Sequence, residues 1–520
     1  MAEMVKLFVN GQEVQVESGK NLIDALKVVG IEIPHFCYHP ALGADGNCRM
    51  CLVGIEDGRP PLVPACKTPA QEGMKVQLDA EHIKKIQRDV LEFELINHPV
   101  DCPVCDQAGE CALQDYYMNY SLDDSRMRVD QVTKGKRMDF GSGVVHDQER
   151  CVLCGRGVRF TRQITKTGEL GIVNRTDAAR VSIFPGKPLN NRYALNIVDI
   201  CPVGAMTSSD FRFKQRVWFL KKDPGICHGC SRGCSIYIDH HQEKYKDDVI
   251  YRYRARTNLN VNGYFICDPG RLSYADENQN RQTTTVVDGR LIGFDEGIEA
   301  LRERLDRARK PLMLISPDCS LEQMWAVKRI AALYGADLSG YSDSYVVDGD
   351  GDDYLINDDK AANRRGLELL DIDFSREQFI ANLQHTDLLV NFNNDLFFGG
   401  VDEELKSQLD KTQSIAVCSH QLPVYESAAV LLPTASYSEY GGTIVNEDYV
   451  LQRFEKALFK NQDPKDILEI TRLLGGAIID APHAWPGIRQ SVARLADIDP
   501  GAIPAEGINL QNSEDTNVGA

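Results

Sequence analysis

Nowhere does the chain hold a run of about 18 apolar residues, which excludes a membrane-spanning helix. The opening stretch, MAEMVKLFVNGQEVQV, has neither the apolar core of a secretory signal nor the Arg/Ser-rich character of a transit peptide, and reads directly as folded strand. Positive charge is in deficit: 58 Lys and Arg stand against 76 Asp and Glu, a net charge of −18. That balance argues against nucleic acid and against anionic lipid as partners. No glycine-rich phosphate loop follows a strand; Gly441-Gly442 is a turn signal only. No proton-transfer or nucleophilic constellation stands out. The composition is that of ordinary soluble globular protein, and 520 residues suffice for three to five domains.

Cysteine is present in quantity and unevenly. There are 16, and 14 of them lie at or before Cys267 in groups of short, fixed spacing. A disulfide scaffold is usually short and secreted, so grouped thiols in this long chain read first as metal ligands. Cys319 and Cys418 stand apart among apolar neighbours and are expected in the core.

The first group is Cys37, Cys48, Cys51 and Cys66, spaced C-x10-C-x2-C-x14-C. KLFVN and QEVQV are alternating strands joined by Asn10-Gly11, a hairpin signal. Leu22, Ala25, Leu26 and Val29 then mark one helical stripe. Strand, turn, strand, helix and cysteine loop is the order of a β-grasp ferredoxin. The spacing departs from the plant-type C-x4-C-x2-C. Zinc is the alternative, but it favours two close pairs and only one is present. The second group is His98, Cys102, Cys105 and Cys111, after a predicted helix, AEHIKKIQRDVLEFELIN. Its H-x3-C-x2-C-x5-C run suits either zinc or a four-iron cluster. Neutral imidazole in place of a thiolate removes negative charge and raises a cluster's potential.

The third group is irregular. Cys151 and Cys154 sit in CVLCGRGVRF and Cys201 in DICPVGAMT, but the position for the remaining ligand is Gly157, which has no side chain. The site offers three thiolates. A cluster there is therefore expected to be altered: a three-iron form, a cubane with an open iron, or none. The fourth group, Cys227, Cys230, Cys234 and Cys267, has spacing suited to a cubane cluster, with zinc as the alternative.

The remaining chain reads as α/β. PLMLISP, DLLVNF, SIAVCS and AAVLLP are buried strands, and LEQMWAVKRIAALYG is a helix between two of them, which implies a largely parallel sheet. Residues 276–290 read as a polar linker or edge. DGDGDDYLINDD, Asp348 to Asp359, imitates a calcium loop but has Asp353 where glycine is needed and Asp359 where the bidentate Glu belongs, so it reads as a solvated acidic loop. A flexible tail is expected from 501 to 520.

The phrases HFCYHP, GNCRMCLV, HPVDCPVCDQAGECALQD, ERCVLC, VDICPVGA and FICDPGR, in that order, resemble the large iron–sulfur subunit of respiratory complex I, the NADH:quinone oxidoreductase. The resemblance covers the first 275 residues. It implies a 2Fe-2S cluster on Cys37, Cys48, Cys51 and Cys66, and a 4Fe-4S cluster on His98, Cys102, Cys105 and Cys111. It implies another on Cys151, Cys154 and Cys201, with a cysteine expected where Gly157 stands. The group at Cys227, Cys230, Cys234 and Cys267 is similar to an extra 4Fe-4S cluster of some bacterial members, off the main electron path. The implied fold is a series of α+β ferredoxin-like cluster domains followed by an α/β domain resembling a shortened molybdopterin oxidoreductase fold. The implied divisions are 1–80 (β-grasp), 81–140 (His/Cys cluster), 141–220 (bacterial-ferredoxin-like), 221–275 (fourth cluster) and 276–500 (α/β, without molybdenum). The segment YSEYGGTIVNEDYVLQRFEKAL carries the molybdopterin-type likeness, but the domain is too short for a full cofactor cradle.

The implied function is electron relay from a flavin-bearing, NADH-oxidising subunit to a further iron–sulfur subunit near the membrane. The two-iron site is the entry, the His98 site the exit and the Cys151 site lies between. Other peripheral-arm subunits are implied partners, and the implied location is peripheral, on the cytoplasmic face of the inner membrane. The chain itself is not expected to bind NADH or to enter the membrane. The alternative is the iron–sulfur subunit of an NAD-linked formate dehydrogenase or hydrogenase. Catalytic versions of those demand a molybdenum ligand or further cysteine motifs, and only Cys319 and Cys418 remain.

Overall fold

The computed structural model describes residues 3–56, 58, 61–120, 126, 130–460, 464–478 and 480–511. The chain divides into two compact units, 1–220 and 221–520.

The first unit begins with the expected hairpin. Strands Met4–Val9 and Gln12–Glu17 pair antiparallel, and the turn places Asn10 at φ 48° and Gly11 at φ 84°. Both signs are those of a type I′ turn, whose twist matches the strands. The helix Leu22–Lys27 follows, capped by Asn21, whose side chain accepts the Asp24 N–H at 3.1 Å. It ends before Val29, so the apolar stripe is one turn shorter than the sequence pattern. The sheet is completed in the order Gln12–Glu17, Met4–Val9, Lys75–Gln77, Leu52–Ile55, Leu62–Pro64, with Met4–Val9 and Lys75–Gln77 parallel. Val5, Leu7, Leu22, Leu26, Val53 and Val76 fill the core beneath it.

The helix Glu81–Leu95 buries Ile83, Gln87 and Leu91, an i, i+4, i+8 stripe. A second helix, Ala112–Tyr120, packs on it. A three-stranded sheet in the order Met206–Ser208, Val144–His146, Met138–Gly141 follows, with the helices Arg156–Gln163 and Asn196–Ile200. Residues from all three N-terminal segments meet in one cluster: Phe36 and Met50, Leu91 and Leu113, Val203 and Ala205.

The second unit opens with an antiparallel sheet, Lys221–Ile226, Ser235–Gln242 and Asp248–Ala255. A seven-stranded sheet follows. Its parallel part runs Val430–Pro433, Gln413–Cys418, Leu388–Phe392, Pro311–Ile315, Asp337–Ser339, and the four apolar runs of the sequence supply four of these five strands. Thr285–Val287 and Arg290–Ile292 add an antiparallel hairpin at one edge, so residues 276–290 end in strand. Helices cover both faces. Leu321–Tyr334 packs with Ile298, Trp485 and Ile488 on one, and Phe379, Leu383, Leu405 and Leu409 lie on the other. Cys319 and Cys418 are buried.

One expectation needs correction. The chain after 500 is packed as far as residue 511: Ile508–Asn509 pairs with Val450 and Leu451, and Leu510 is fully buried. The aliphatic pair Ile508 and Leu510, spaced two apart, supplies that anchor; residues 512–520 lie outside the described residues. The acidic stretch at 348–359 is largely at the surface, as expected, with Asp348, Asp352, Asp353 and Asp358 exposed. Asp352 caps the Tyr354, Leu355 and Ile356 N–H groups, Lys360 pairs with Asp350, and Arg364 pairs with Asp359.

Candidate cluster sites

The first group comes together at one end of the β-grasp sheet. The thiols interact closely enough to shift one another: Cys48 and Cys66 act on Cys37, and Cys37 and Cys51 on Cys66. The loop that carries them approaches the thiols by backbone: the N–H groups of Gly46 and Cys48 lower the pKa of Cys37, after the thiol contacts themselves. Amide donors favour thiolate.

In the second group, Cys105 and Cys111 are buried, and burial pushes Cys111 up to about 11. Cys102 opens a single 3₁₀ turn, Cys102–Val104. His98 lies just beyond the Glu81–Leu95 helix, and burial lowers its pKa, which leaves the imidazole neutral as a metal ligand must be. A charge network adjoins the group. Arg150 donates to Asp101 at 2.8 and 2.7 Å, and Lys136 reaches Glu149 at 2.7 Å and Asp101 at 3.4 Å. Burial works to raise Asp101, yet Arg150 and Lys136 hold its carboxyl below the usual range. Gly204 presses on this site: a Cβ there would lie 2.1 Å from Cys105 Sγ.

The third group is gathered from two segments. Cys151 and Cys154 flank the start of the Arg156–Gln163 helix, and Cys201 follows the Asn196–Ile200 helix. Burial is the first cause of the raised pKa of all three, with Cys154 pushed up to about 12; Cys151 also feels Cys154 and Cys201. Gly157 does not face a sulfur. A Cβ on it would meet Ile197 Cγ2 at 3.2 Å and Leu170 Cδ1 at 3.4 Å.

The third group touches both others. Towards the first, Asn47 donates to Leu153 O at 3.2 Å, Arg156 donates to Tyr38 O at 2.6 Å, and Arg159 donates to Gly43 O at 2.9 Å and to Cys37 O. Towards the second, Ala112 N–H donates to Pro202 O at 2.9 Å, and Cys111 feels the charge of Cys201. Cys48, Cys151, Cys154 and Cys201 pack against the apolar cluster that contains Cys111. The residues that make these links, Arg150, Arg156 and Arg159, escaped the sequence reading. The signal was present, since all three lie within ERCVLCGRGVRF, the third group's own motif.

The fourth group lies in the second unit. Cys227, Cys230 and Cys234 are buried at the turn between Lys221–Ile226 and Ser235–Gln242, and Cys267 caps the Asp268–Leu272 helix. Gly229 N–H donates to Cys227 Sγ at 3.4 Å and Gly270 N–H to Cys267 Sγ at 3.3 Å. A Cβ on Gly270 would lie 3.0 Å from Cys227 Sγ and 3.1 Å from Cys267 Sγ, so a larger residue would press on both sulfurs. Among the described residues no three His, Cys, Asp or Glu side chains close around a point as one bare ion requires. Thiolate sets with amide donors and glycine cradles fit iron–sulfur clusters.

Comparison with known proteins bears on the same regions. Residues 2–81 match the family model of a 2Fe-2S iron–sulfur cluster binding domain. Residues 87–126 match that of the NADH-ubiquinone oxidoreductase-G iron–sulfur binding region, and 141–207 that of the NADH-quinone oxidoreductase subunit 3 ferredoxin-like domain. The G subunit of the NADH-quinone oxidoreductase of Streptomyces coelicolor is 38% identical over 285 residues, 54% of this chain and 33% of that protein. The corresponding G subunit of Rickettsia bellii is 34% identical over 332 residues, 62% of this chain and 48% of its own. The NADH-ubiquinone oxidoreductase 75 kDa subunit of Reclinomonas americana is 38% identical over 285 residues, 55% of this chain and 40% of that one. The chain thus spans between a third and a half of the length of these relatives. A chain of an NAD+-reducing [NiFe]-hydrogenase is 26% identical over 41% of this chain and 91% of its own, at a TM-score of 0.36.

Proposed function

We propose that this chain, whose iron–sulfur half belongs with the G subunits of NADH-quinone oxidoreductases, relays single electrons within an NADH:quinone oxidoreductase. One observation carries the reading: three thiol groups of the first unit share one apolar cluster, and the third group touches both of the others. Iron–sulfur clusters, when bound, supply one-electron chemistry with little rearrangement.

The chain's own residues do the rest. Cys37, Cys48, Cys51 and Cys66 would hold a two-iron cluster. His98, Cys102, Cys105 and Cys111 would hold a four-iron cluster, with the neutral imidazole raising its potential. Cys151, Cys154 and Cys201 would hold a cluster with one corner lacking a protein thiolate. Cys227, Cys230, Cys234 and Cys267 would hold a further four-iron cluster, outside the relay order. Phe36, Met50, Leu91, Leu113, Val203 and Ala205 exclude water between the first three sites, which keeps the surroundings of low polarity. The contacts support passage between the first and second sites through the third; entry at the first and exit from the second follow from the resemblance to the complex I subunit. The order is that of a relay between a flavin-bearing, NADH-oxidising subunit and a further iron–sulfur subunit near the membrane. Such a chain sits peripherally on the cytoplasmic face of the inner membrane; among the described residues no helix is long and apolar enough to cross one.

The α/β domain would be a docking and structural element of molybdopterin-oxidoreductase type without molybdenum. In support, Cys319 and Cys418 are both sealed in its core and offer no ligand. The decisive experiment is an iron, sulfide, zinc and molybdenum count on the anaerobically purified chain, with its clusters followed optically on NADH addition in the reconstituted complex. Bleaching at the first three sites is expected. Stoichiometric zinc, or iron that NADH never reduces, would sink the relay reading.

A further inference from the structure

Two guanidinium groups stand where the first and third sites meet. Arg156 is the first residue of its helix and donates from Nη1 to Ile200 O at 2.9 Å and from Nη2 to Tyr38 O at 2.6 Å. Those carbonyls belong to the residue before Cys201 and the residue after Cys37. Arg159, one turn on, donates from Nη1 to Leu42 O at 3.1 Å and Gly43 O at 2.9 Å, and from Nη2 to Cys37 O. Each side chain therefore reaches from the third site's helix to the loop of the first. The Nε atom of each is buried and has no acceptor in the protein. A buried donor without a partner is costly and is rarely left so without reason.

The hydrogen bonds described for both guanidinium groups go to neutral carbonyls, which leave the positive charge in place. Beside a site that takes on negative charge when reduced, such cations favour the reduced form. The third site also has one thiolate fewer than a complete set, because Gly157 supplies none. We propose that Arg156 and Arg159 are positioning residues that fix the spacing of the first and third sites and raise the potential of the third. This rests on the relay reading above. It concerns residues that hold no iron, so it can fail while that reading stands.

The test is a potentiometric titration of the full chain followed by electron paramagnetic resonance, the third site's signal being the one lost in Cys201→Ala. In Arg156→Gln the equilibrium constant for reducing the third site is expected to fall at least tenfold, about 59 mV for one electron. Arg159→Gln is expected to act in the same direction and to change the magnetic coupling between the first and third signals. Arg156→Lys keeps the cation but lacks the planar fork that spans two carbonyls. It is expected to recover most of the potential while the coupling stays altered. Retention of the second site's signal reports that each variant is folded. Should both Gln variants lose it, Arg156→Lys decides alone, and coupling equal to the parent's overturns the proposal. Parent-like potential and coupling in folded Gln variants overturn it too. A parent with no signal at the third site overturns the relay reading there, and the arginine assignment falls with it.

Discussion

Gly157→Cys restores a thiol at the one position where the third site lacks it, and its cost can be worked out beforehand. Gly157 is the second residue of a helix and its φ is not in the left-handed region, so any L residue fits the backbone. The new Cβ would lie 3.2 Å from Ile197 Cγ2 and 3.4 Å from Leu170 Cδ1. Carbon atoms prefer about 3.5–4.0 Å, so two methyl groups must give by a few tenths of an ångström. That is mild overpacking, about 1 kcal/mol, at the low end for such changes. Replacing glycine within a helix returns about 0.5–1 kcal/mol. The two terms nearly cancel. The iron-free variant should therefore melt within about 4 °C of the parent, since about 1 kcal/mol moves a unit of this size by roughly 2–4 °C. Gly157→Ala carries the same Cβ without the sulfur and should melt alike. Iron and sulfide analysis then separates the two: Cys should add iron or convert a labile signal to an oxygen-stable one, and Ala should not. The added thiolate should also lower the site's potential. A parent that already shows a complete four-iron signal, unchanged by Cys, would refute the open-ligand reading. A fall in melting temperature well beyond 4 °C in the Ala variant would refute the packing argument.

His98→Ala should weaken the second site's cluster, while His98→Cys should keep it and lower its potential, because a thiolate replaces a neutral ring; an unchanged magnetic spectrum in the Ala variant would count against His98 as a ligand. His240 is fully buried between Asp248 at 2.8 Å and Asp223 at 2.7 Å; burial pulls its pKa down, but the two carboxylates prevail and raise it. A raised folded-state value means the stabilisation is complete below the unfolded value of about 6.5 and is lost as pH rises through the raised one. Urea midpoints of the parent and His240→Gln should therefore differ most at mildly acid pH and converge on the alkaline side; a gap that widens with pH would show the sign to be wrong. A chain stopped after Gln511 should unfold like the parent, whereas one stopped after Pro500 loses buried Leu510 and the Ile508–Asn509 strand, a loss of at least the 2–5 kcal/mol typical of a buried Leu→Ala. Equal denaturation midpoints for the two truncations would contradict the packing seen at Leu510.

Much of this architecture was legible because its signals are local. Asn10-Gly11 admits few turns, and the apolar runs PLMLISP, DLLVNF, SIAVCS and AAVLLP are the length of buried parallel strands. The cysteine groups were legible for the same reason, being tied by short loops or by phrases such as CPVGA and CDPGR. What escaped depends on contacts distant in sequence. Arg156 and Tyr38 are 118 residues apart, and Arg159 and Cys37 are 122 apart. The motif ERCVLCGRGVRF marks these arginines as near the third group, but not which distant carbonyls they reach. Leu510 escaped similarly: in a stretch rich in Asn, Gln and Glu, two aliphatic residues look incidental until the strand partner at Val450–Leu451 is seen.

Glycines near the thiols fall into two kinds, and the distinction bears on what Gly157 is. Gly204 is a place where a side chain is forbidden, since a Cβ would lie 2.1 Å from Cys105 Sγ, and Gly270 is a tight one, with Cys227 and Cys267 Sγ at 3.0 and 3.1 Å. Close approach of backbone to sulfur is what favours glycine there. Gly157 meets no such demand. Its vacant Cβ direction points at two methyl groups, its φ is ordinary, and it begins a helix in which glycine is a poor choice. The fold tolerates a side chain here only if Ile197 and Leu170 give by a few tenths of an ångström. The site around this position keeps its other parts: the three thiols interact, amides stand near them, and two half-buried arginines face the neighbouring loop. The structure thus fits a cluster site that lacks one ligand better than a site already dissolved. In such a site the cations gain weight, because with one thiolate fewer they are a larger share of the charge that sets its potential.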